Sequence, residues 1–492
     1  MYAIFDGDVK DLNRLRKYVF SKPYEIKTIV EYGGIREIEG ERVYIEGNKC
    51  LVNGAISDKY ICKKDSIKGC LLDHKPITKE QVDEIKYRLL KYYDPLFCYQ
   101  VLGYTVAQYF SPLLRQQDIK TPNFIVVGES GSGKTTITES VIIPLIGLKS
   151  DLVDAKGNTA TGLRLAGGCN TTIPLVLDDF KPTQKDMTKS AIAAINSILN
   201  TAYDRTSSLK GTITLNTREY AVRTSVVLTG ERLPDQASTI ERSVVAMLSK
   251  EKLETVKQVR PEIIYDMQDK KDILRSFSRT ILDNVMKQDA KELSESYKQI
   301  RNSIRTRVAL PRVMEGIAFT LLGLVAANSI LGTIDLERAK ELLIDNANKM
   351  AKLGALTEVE RSLQAMDSYL SVNGIFDNEG YELTRIDGNG NLCVRIKEIW
   401  ELLERNKKDG MMDKGQFIEQ LKNSKYISKT AKNPYTNVKF FKDDEKKTSK
   451  GIRCYKLNLF EVKQLDAPTL AREVLVEEQE EELQAIQIEL ES

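Results

Sequence analysis

A chain of 492 residues that is 41% hydrophobic excludes a disordered or fibrous polymer, and it is long enough for about three domains with cores of their own. A net charge of +3 says little about partners as a sum, so any polyanion-binding surface must be a local patch. The seven cysteines lack a CxxC pair and the opening stretch lacks a signal-peptide pattern, so no disulfides and a reducing cytoplasm are expected.

Residues 1–77 carry short Ile/Val/Tyr runs broken by Gly and Asn, as in IREIEGERVYIEGNKCLVNGAI, and predict hairpins in a small β-rich module. Cys50, Cys62, Cys70 and the chain's one histidine, His74, could supply four zinc ligands. Their spacing matches no zinc-finger pattern, and isolated cysteines in such modules are more often small core residues. From Thr78 to about Gln117 the periodicity is helical, with breaks expected near Pro95 and Pro112.

The next stretch, NFIVVGESGSGKTT, joins an apolar run, Phe124 to Val127, to a glycine-rich turn and a helix-capable segment. Gly128, Gly131, Gly133, Lys134 and Thr135 match the G-x-x-x-x-G-K-[ST] pattern of a P-loop. Glycines suit a loop that wraps its amides around a β-phosphate, where side chains would collide with a nucleotide. Ser130, Ser132 and Thr136 complete the expected ATP-binding loop. Lys134 is expected on the β- and γ-phosphates, and the Thr135 hydroxyl on magnesium.

A second apolar run, Ile173 to Leu177, ends in two carboxylates and reads as a Walker B strand. Asp178 is the expected magnesium partner and Asp179 the expected polariser of the attacking water, although glutamate is commoner there. A helix over Lys185 to Asn200, a hairpin and a third buried strand, Ser225 to Leu228, follow. Thr229, Gly230 and Glu231 lie at that strand's end, where a γ-phosphate sensor is placed. Arg242, just beyond, is the candidate finger toward a neighbouring subunit, with Arg205 and Arg232 competing for the role.

Residues 251–353 are almost continuously helical and predict a lid. Ile317 to Leu331 is short for a bilayer, follows Glu315 and contains Asn328, so a buried helix rather than a membrane span is expected. Arg312, at a helix start after Pro311, is a candidate sensor acting within its own chain, with Arg307 as the alternative. In residues 354–465 a hairpin, two short helices around Gly410 and two strands around a charged loop give a winged-helix order. Lys422 to Lys456 holds 11 Lys/Arg against 3 Asp/Glu, interleaved with Tyr426, Tyr435, Phe440 and Phe441. Such a patch suits phosphate backbones, with Lys442, Lys446, Lys447 and Lys450 on the wing. Lys414 and Gln416 are the candidates for reading base edges. The tail, 466–492, is acidic with Leu483, Ile486 and Leu490 on one helical face.

GESGSGKTT, NTATGLRL before PLVLDDFKP, the AYDRTSSLKG hairpin, VVLTGE, ERSVVAML and RVALPRVMEGIAFTLLGL occur in an order that resembles AAA+ ATPases of mobile genetic elements and phages. These are the DUF927-type and staphylococcal-cassette-type proteins, related to MCM and superfamily III helicases, and the likeness covers roughly residues 80–350. It implies an α/β P-loop AAA+ core over 78–250, flanked by the N-terminal β-rich module, the helical lid and the C-terminal winged-helix domain. It also implies a self-loading replicative DNA helicase, commonly a hexameric ring, that uses ATP and Mg2+ on single-stranded and duplex DNA and places the Lys210–Tyr220 hairpin toward the channel. Thr-Gly-Glu stands where many relatives carry a sensor Asn, and no primase motif precedes the core, so a primase would be a separate protein. An origin-recognition or helicase-loading ATPase without unwinding, and an AAA+ machine acting on protein or in phage defence, are the alternatives.

Overall fold

The computed structural model describes residues 8–21, 27–63, 67–149, 152–181, 187–211, 217–234, 236–260, 263–308, 310–354, 358–387, 391–405, 414–428, 435–442, 449–463, 465 and 467–472. The chain departs from the β-rich expectation at its start, because α1 (Val9–Ser21) is a helix. The Asp8 carboxylate accepts the Lys10 and Asp11 amides at 2.7 and 2.8 Å, a side-chain cap that a run of Leu, Lys and Arg can follow into a helix. Hairpins then form as expected. β1 (Thr28–Val30) pairs in parallel with β6 (Tyr60–Cys62), while β2 (Gly34–Ile38), β3 (Glu41–Glu46), β4 (Lys49–Val52) and β5 (Ala55–Ser57) form an antiparallel meander. Asn53 and Gly54, both at positive φ (50° and 80°), make the tight turn between β4 and β5.

This module does not stand alone. Ile35, Tyr44 and Leu51 share one hydrophobic cluster with the central sheet and the helices. The Glu46 carboxylate accepts the Leu71 and Leu72 amides at 2.9 and 2.8 Å, and the Gly33 amide donates to the Cys169 carbonyl at 2.9 Å.

Helices α2 (Lys79–Ile85), α3 (Arg88–Lys91) and α4 (Pro95–Gln116) follow. Pro95 opens α4 behind the Asp94 cap, as its missing N–H allows. Pro112 does not break the helix as the sequence predicts. It sits inside α4, which is buried from Phe97 to Leu114, and packing there outweighs the lost hydrogen bond.

The central sheet consists of β7 (Asn123–Gly128), β8 (Val153–Asp154), β9 (Leu175–Phe180), β12 (Val226–Gly230) and β13 (Ser243–Leu248). Its order is β13-β7-β12-β9-β8, and every pairing is parallel. Helix α5 (Lys134–Ile137) passes through a wider π-turn at Thr138–Ile142 into α6 (Ile143–Leu145). The other crossovers carry α7 (Ala160–Gly167), α8 (Lys189–Asp204) and α9 (Ala237–Glu241). β10 (Ser207–Gly211) and β11 (Thr217–Ala221) form a separate hairpin. Since parallel strands share a direction, the segments after β7, β9 and β12 all emerge at one edge.

The helical region comprises α10 (Lys250–Val259), α11 (Ile263–Asp269), α12 (Lys271–Val285), α13 (Ala290–Ile304), α14 (Pro311–Leu331) and α15 (Leu336–Gly354). α14 is long and apolar enough to cross a membrane, yet most of it is buried within the chain. It crosses α4 at Gly103 and Gly323, where a Cβ on Gly323 would lie 1.8 Å from the Gly103 carbonyl oxygen.

The C-terminal part has a core of its own, including Trp400 stacked on Phe417 with ring centroids 4.8 Å apart. It runs α16 (Glu358–Asn373), β14 (Thr384–Ile386), β15 (Leu392–Val394), α17 (Ile396–Arg405), α18 (Lys414–Lys422), β16 (Tyr435–Phe441), β17 (Ser449–Leu457) and α19 (Leu459–Lys463). The two predicted hairpins merge into one antiparallel sheet, β14-β15-β17-β16. Gly410, Lys446, Lys447, Leu483, Ile486 and Leu490 lie outside the described residues.

Candidate active site

β7 is buried along its whole length and ends at Gly128, where a Cβ would sit 2.6 Å from both the Leu248 carbonyl oxygen and the Ser132 hydroxyl. Gly131 and Gly133 both adopt φ of 85°, a conformation that glycine reaches without strain. The chain therefore turns sharply from strand to helix, as the P-loop pattern predicts. Ser132 is buried and its hydroxyl has no hydrogen-bond partner among the described residues, whereas Ser130 is exposed. Lys134 folds back over the loop and donates to the Gly128 and Glu129 carbonyl oxygens at 2.5 and 2.8 Å. Thr135 is exposed and Thr136 half-buried on the first helical turn.

Beside this loop, β9 and β12 lose their regular pairing. Leu177 pairs with Leu228 and Phe180 with Gly230, so Asp178 and Asp179 together face the single residue Thr229 across a bulge. A bulge breaks the alternation of side chains, which lets two successive carboxylates serve one edge. Asp179 takes the left-handed conformation, φ 60°, which is costly for a residue with a Cβ. The buried Thr229 hydroxyl donates to Asp178 Oδ1.

Sequence reasoning missed two lysines here. Asp179 pairs with Lys156, from the loop after β8, and with Lys181 at 3.2 Å; Lys181 also reaches Glu231 at 2.9 Å. Burial alone would raise the Asp179 carboxyl, but the two ammonium groups hold it below its ordinary range. Hydrogen bonds to Glu231 and Asp179 push Lys181 up. Burial lowers Lys134, and it lies in the fields of Glu231, Lys181, Asp178 and Asp179. Lys181 directly follows the carboxylate strand and could have been flagged on that ground; Lys156 could not, since only the parallel pairing of β8 with β9 brings it near.

The candidate arginines lie elsewhere. Arg242 precedes β13, and its carbonyl accepts the Asn123 amide at 3.0 Å, at the end of β7 opposite the P-loop. That places it about one strand length, roughly 16 Å, from Gly128. Its guanidinium is largely buried and engages Asp204 at 3.0 Å. Arg312 pairs with Glu241 at 3.1 Å, next to Arg242 in sequence. The expectation that α14's N-terminus would hold Arg312 near its own nucleotide cleft therefore fails, because α14 begins at the opposite edge of the sheet. Arg307 pairs with Glu341 at 2.5 Å, and Arg205 donates to the Arg115 carbonyl at 3.1 Å.

The fold is similar to the solved structure of the SCCmec type IV Cch active helicase, with a TM-score of 0.52 and 14% identity over 93% of this chain and 84% of that one. The chain shares the Cch fold. Solved structures of the NrS-1 C-terminal region in its A form (TM-score 0.31, 14% identity, 69% of this chain and 86% of that one) and of JCV helicase (0.22, 14%, 46% and 72%) are too remote to bear on it. No protein-family model matches the sequence, and no curated protein matches it.

Within this Cch fold the loop fits a nucleotide triphosphate. Its glycines clear the space a phosphate chain needs, and among the described residues its ammonium is bound to its own loop alone and the buried Ser132 hydroxyl is without a partner. Among the described residues no group of three or more His, Cys, Asp or Glu is positioned to hold a metal. Cys50, Cys62, Cys70 and His74 accordingly do not converge on a zinc site. Magnesium makes a different demand, since it is usually held by one or two carboxylates plus substrate phosphates, and Asp178 supplies such a carboxylate near the end of β9.

The basic residues of the C-terminal part are partly neutralised. Lys450 lies 3.7 Å from Glu379, Lys456 2.9 Å from Asp387 and Lys414 3.4 Å from Glu401. Lys442 is exposed.

Proposed function

We propose that this chain is a magnesium- and ATP-dependent DNA helicase, an AAA+ P-loop ATPase acting as a hexameric ring in replication initiation of a mobile element, plasmid or phage. The observation that carries this is the P-loop turn at the end of β7 lying at the same edge of a five-stranded parallel sheet as Asp178 and Asp179 on β9 and Glu231 just after β12. Lys134 would leave its carbonyl partners for the β- and γ-phosphates, and Thr135 and Asp178 would hold the metal, which neutralises charge on the γ-phosphate. Asp179 would orient the attacking water once Lys156 and Lys181 release it. Arg242 sits at the sheet edge away from its own P-loop, where it can serve a neighbour's site only if Asp204 lets go.

The C-terminal helices and strands run in winged-helix order, which supports duplex contact through Lys442, Lys450 and the remaining wing lysines. The proposed parts are 1–77, 78–250, 251–353, 354–465 and 466–492, in a cytoplasmic protein with no membrane role and a separate primase. The test is strand displacement on a forked duplex, comparing wild type with Lys134→Ala. Displacement that needs hydrolysable ATP and vanishes in the variant supports the helicase. DNA-stimulated hydrolysis without displacement would point to a loading or origin-recognition ATPase, and turnover unaffected by DNA would overturn both.

A further inference from the structure

The acidic segment 473–492 holds eight glutamates and no Lys or Arg, and it lies outside the described residues. The residues just before it are tied down. Leu470 and Ala471 are buried in the C-terminal core, the Leu470 amide donates to Asp367 Oδ1 at 2.6 Å, and the Ala471 amide donates to the Ala467 carbonyl at 2.9 Å. Arg472 then pairs with Glu382, whose own amide donates to the Phe441 carbonyl at 3.1 Å. Phe441 ends β16, and the next residue, Lys442, bridges to Tyr381. Segment 473–492 therefore starts beside the end of a wing strand.

That wing has charge to match, since Lys422 to Lys456 holds 11 Lys/Arg against 3 Asp/Glu. Lys414, Lys425, Lys450 and Lys456 each pair with a carboxylate of the same part of the chain, at 3.4, 3.1, 3.7 and 2.9 Å. Lys439 on β16 and Lys442 just after it are exposed and have no such pair among the described residues. Reach does not limit the segment. The ten residues from Arg472 to Glu482 span up to about 33–36 Å when extended, whereas a four-stranded sheet is only about 14 Å across at the usual strand spacing.

We propose that segment 473–492 docks on the wing of its own chain, with the carboxylates of Glu477, Glu478, Glu480, Glu481 and Glu482 on Lys439 and Lys442, and competes there with duplex DNA. Its tether gives it an effective concentration on the order of mM, enough for individually weak pairs between exposed groups to hold the wing. Duplex DNA, with one charge per about 1.7 Å of its axis, is the denser polyanion and displaces the segment. The inference rests on the duplex-binding reading of the wing.

The test uses the full chain with Glu477, Glu478, Glu480, Glu481 and Glu482 all changed to Gln, titrated with labelled duplex DNA over a range of salt. Duplex affinity at low salt should rise about 5- to 30-fold, the combined effect of a few exposed ion pairs, and the gain should fade as salt screens them. In a Lys439→Gln/Lys442→Gln background the same five changes should add nothing; a gain that persists there would be a general effect of net charge and would overturn the docking. Carbodiimide cross-linking of the wild type without DNA reads the contact directly, and should join the segment to Lys439 or Lys442 in a link that duplex DNA suppresses. Links between isotope-labelled and unlabelled copies in a mixture would overturn the own-chain assignment. Unchanged affinity in the five-glutamate variant, or no link in the wild type, would overturn the proposal and leave the duplex reading standing. A wild type that forms the link yet binds no duplex would overturn the parent reading.

Discussion

Replacing Thr229 by Val keeps the buried shape and removes the hydroxyl that donates to Asp178 Oδ1. A hydrogen bond to a charged group contributes about 1.5–3 kcal/mol, and the loss leaves one carboxylate oxygen without its donor beside the bulge. Partners that orient a metal ligand typically govern about 10- to 100-fold in metal affinity or activity. At about 1.4 kcal/mol per tenfold the two ranges coincide. The magnesium concentration for half-maximal ATP turnover should therefore rise about 10- to 100-fold in Thr229→Val. Thr229→Ser retains the donor and should stay near wild type. The assay is steady-state ATP hydrolysis over a magnesium series, with thermal unfolding run alongside. A stably folded Thr229→Val with unchanged magnesium dependence would refute the idea that Thr229 sets Asp178 for the metal.

Lys134→Ala should abolish turnover with little change in unfolding temperature, since the ammonium's hydrogen bonds go to carbonyls of its own loop, as steady-state hydrolysis and calorimetry would show. Arg242→Ala should stay folded because Asp204 keeps Lys120 at 2.9 Å. Mixing it with Lys134→Ala protein should restore partial hydrolysis, and no recovery in co-assembled mixtures would show that Arg242 does not act on a neighbour. Gly323→Ala forces a Cβ to within 1.8 Å of the Gly103 carbonyl, so the helices must separate. A loss of at least 1–3 kcal/mol, about the usual cost of overpacking, should appear in chemical denaturation. Neutralising Lys442 and Lys450 to Gln should flatten the salt dependence of duplex binding by up to about 1.8, at 0.9 per contact, with a smaller drop if Glu379 already holds Lys450.

Short-range chemistry was legible in the residues themselves. Gly128, Gly131, Gly133 and Lys134 announce a strand-to-helix turn because only glycine tolerates that backbone and that crowding. Apolar runs ending in Asp178–Asp179 and Thr229–Gly230–Glu231 announce strands whose ends carry polar work, and the hairpins of residues 28–62 follow from their Gly and Asn turns. Helix α1 was missed although Val9, Leu12, Leu15 and Tyr18 recur in it at three-residue spacing, a helical pattern whose side chains stay exposed. Pro112 misled because local propensity cannot weigh the packing that buries α4.

What no stretch of sequence contains is the order of strands in the sheet. That order sets β12 between β7 and β9, opposes two aspartates to one threonine, and brings Lys156 and Lys181 onto Asp179. It also sends Arg242 and Arg312 to the far edge. Residue types and their spacing determined which groups this protein has for phosphate and metal. Only the tertiary structure decided which of them meet, because contacts between distant segments depend on the direction and register of paired strands, and local pattern carries neither.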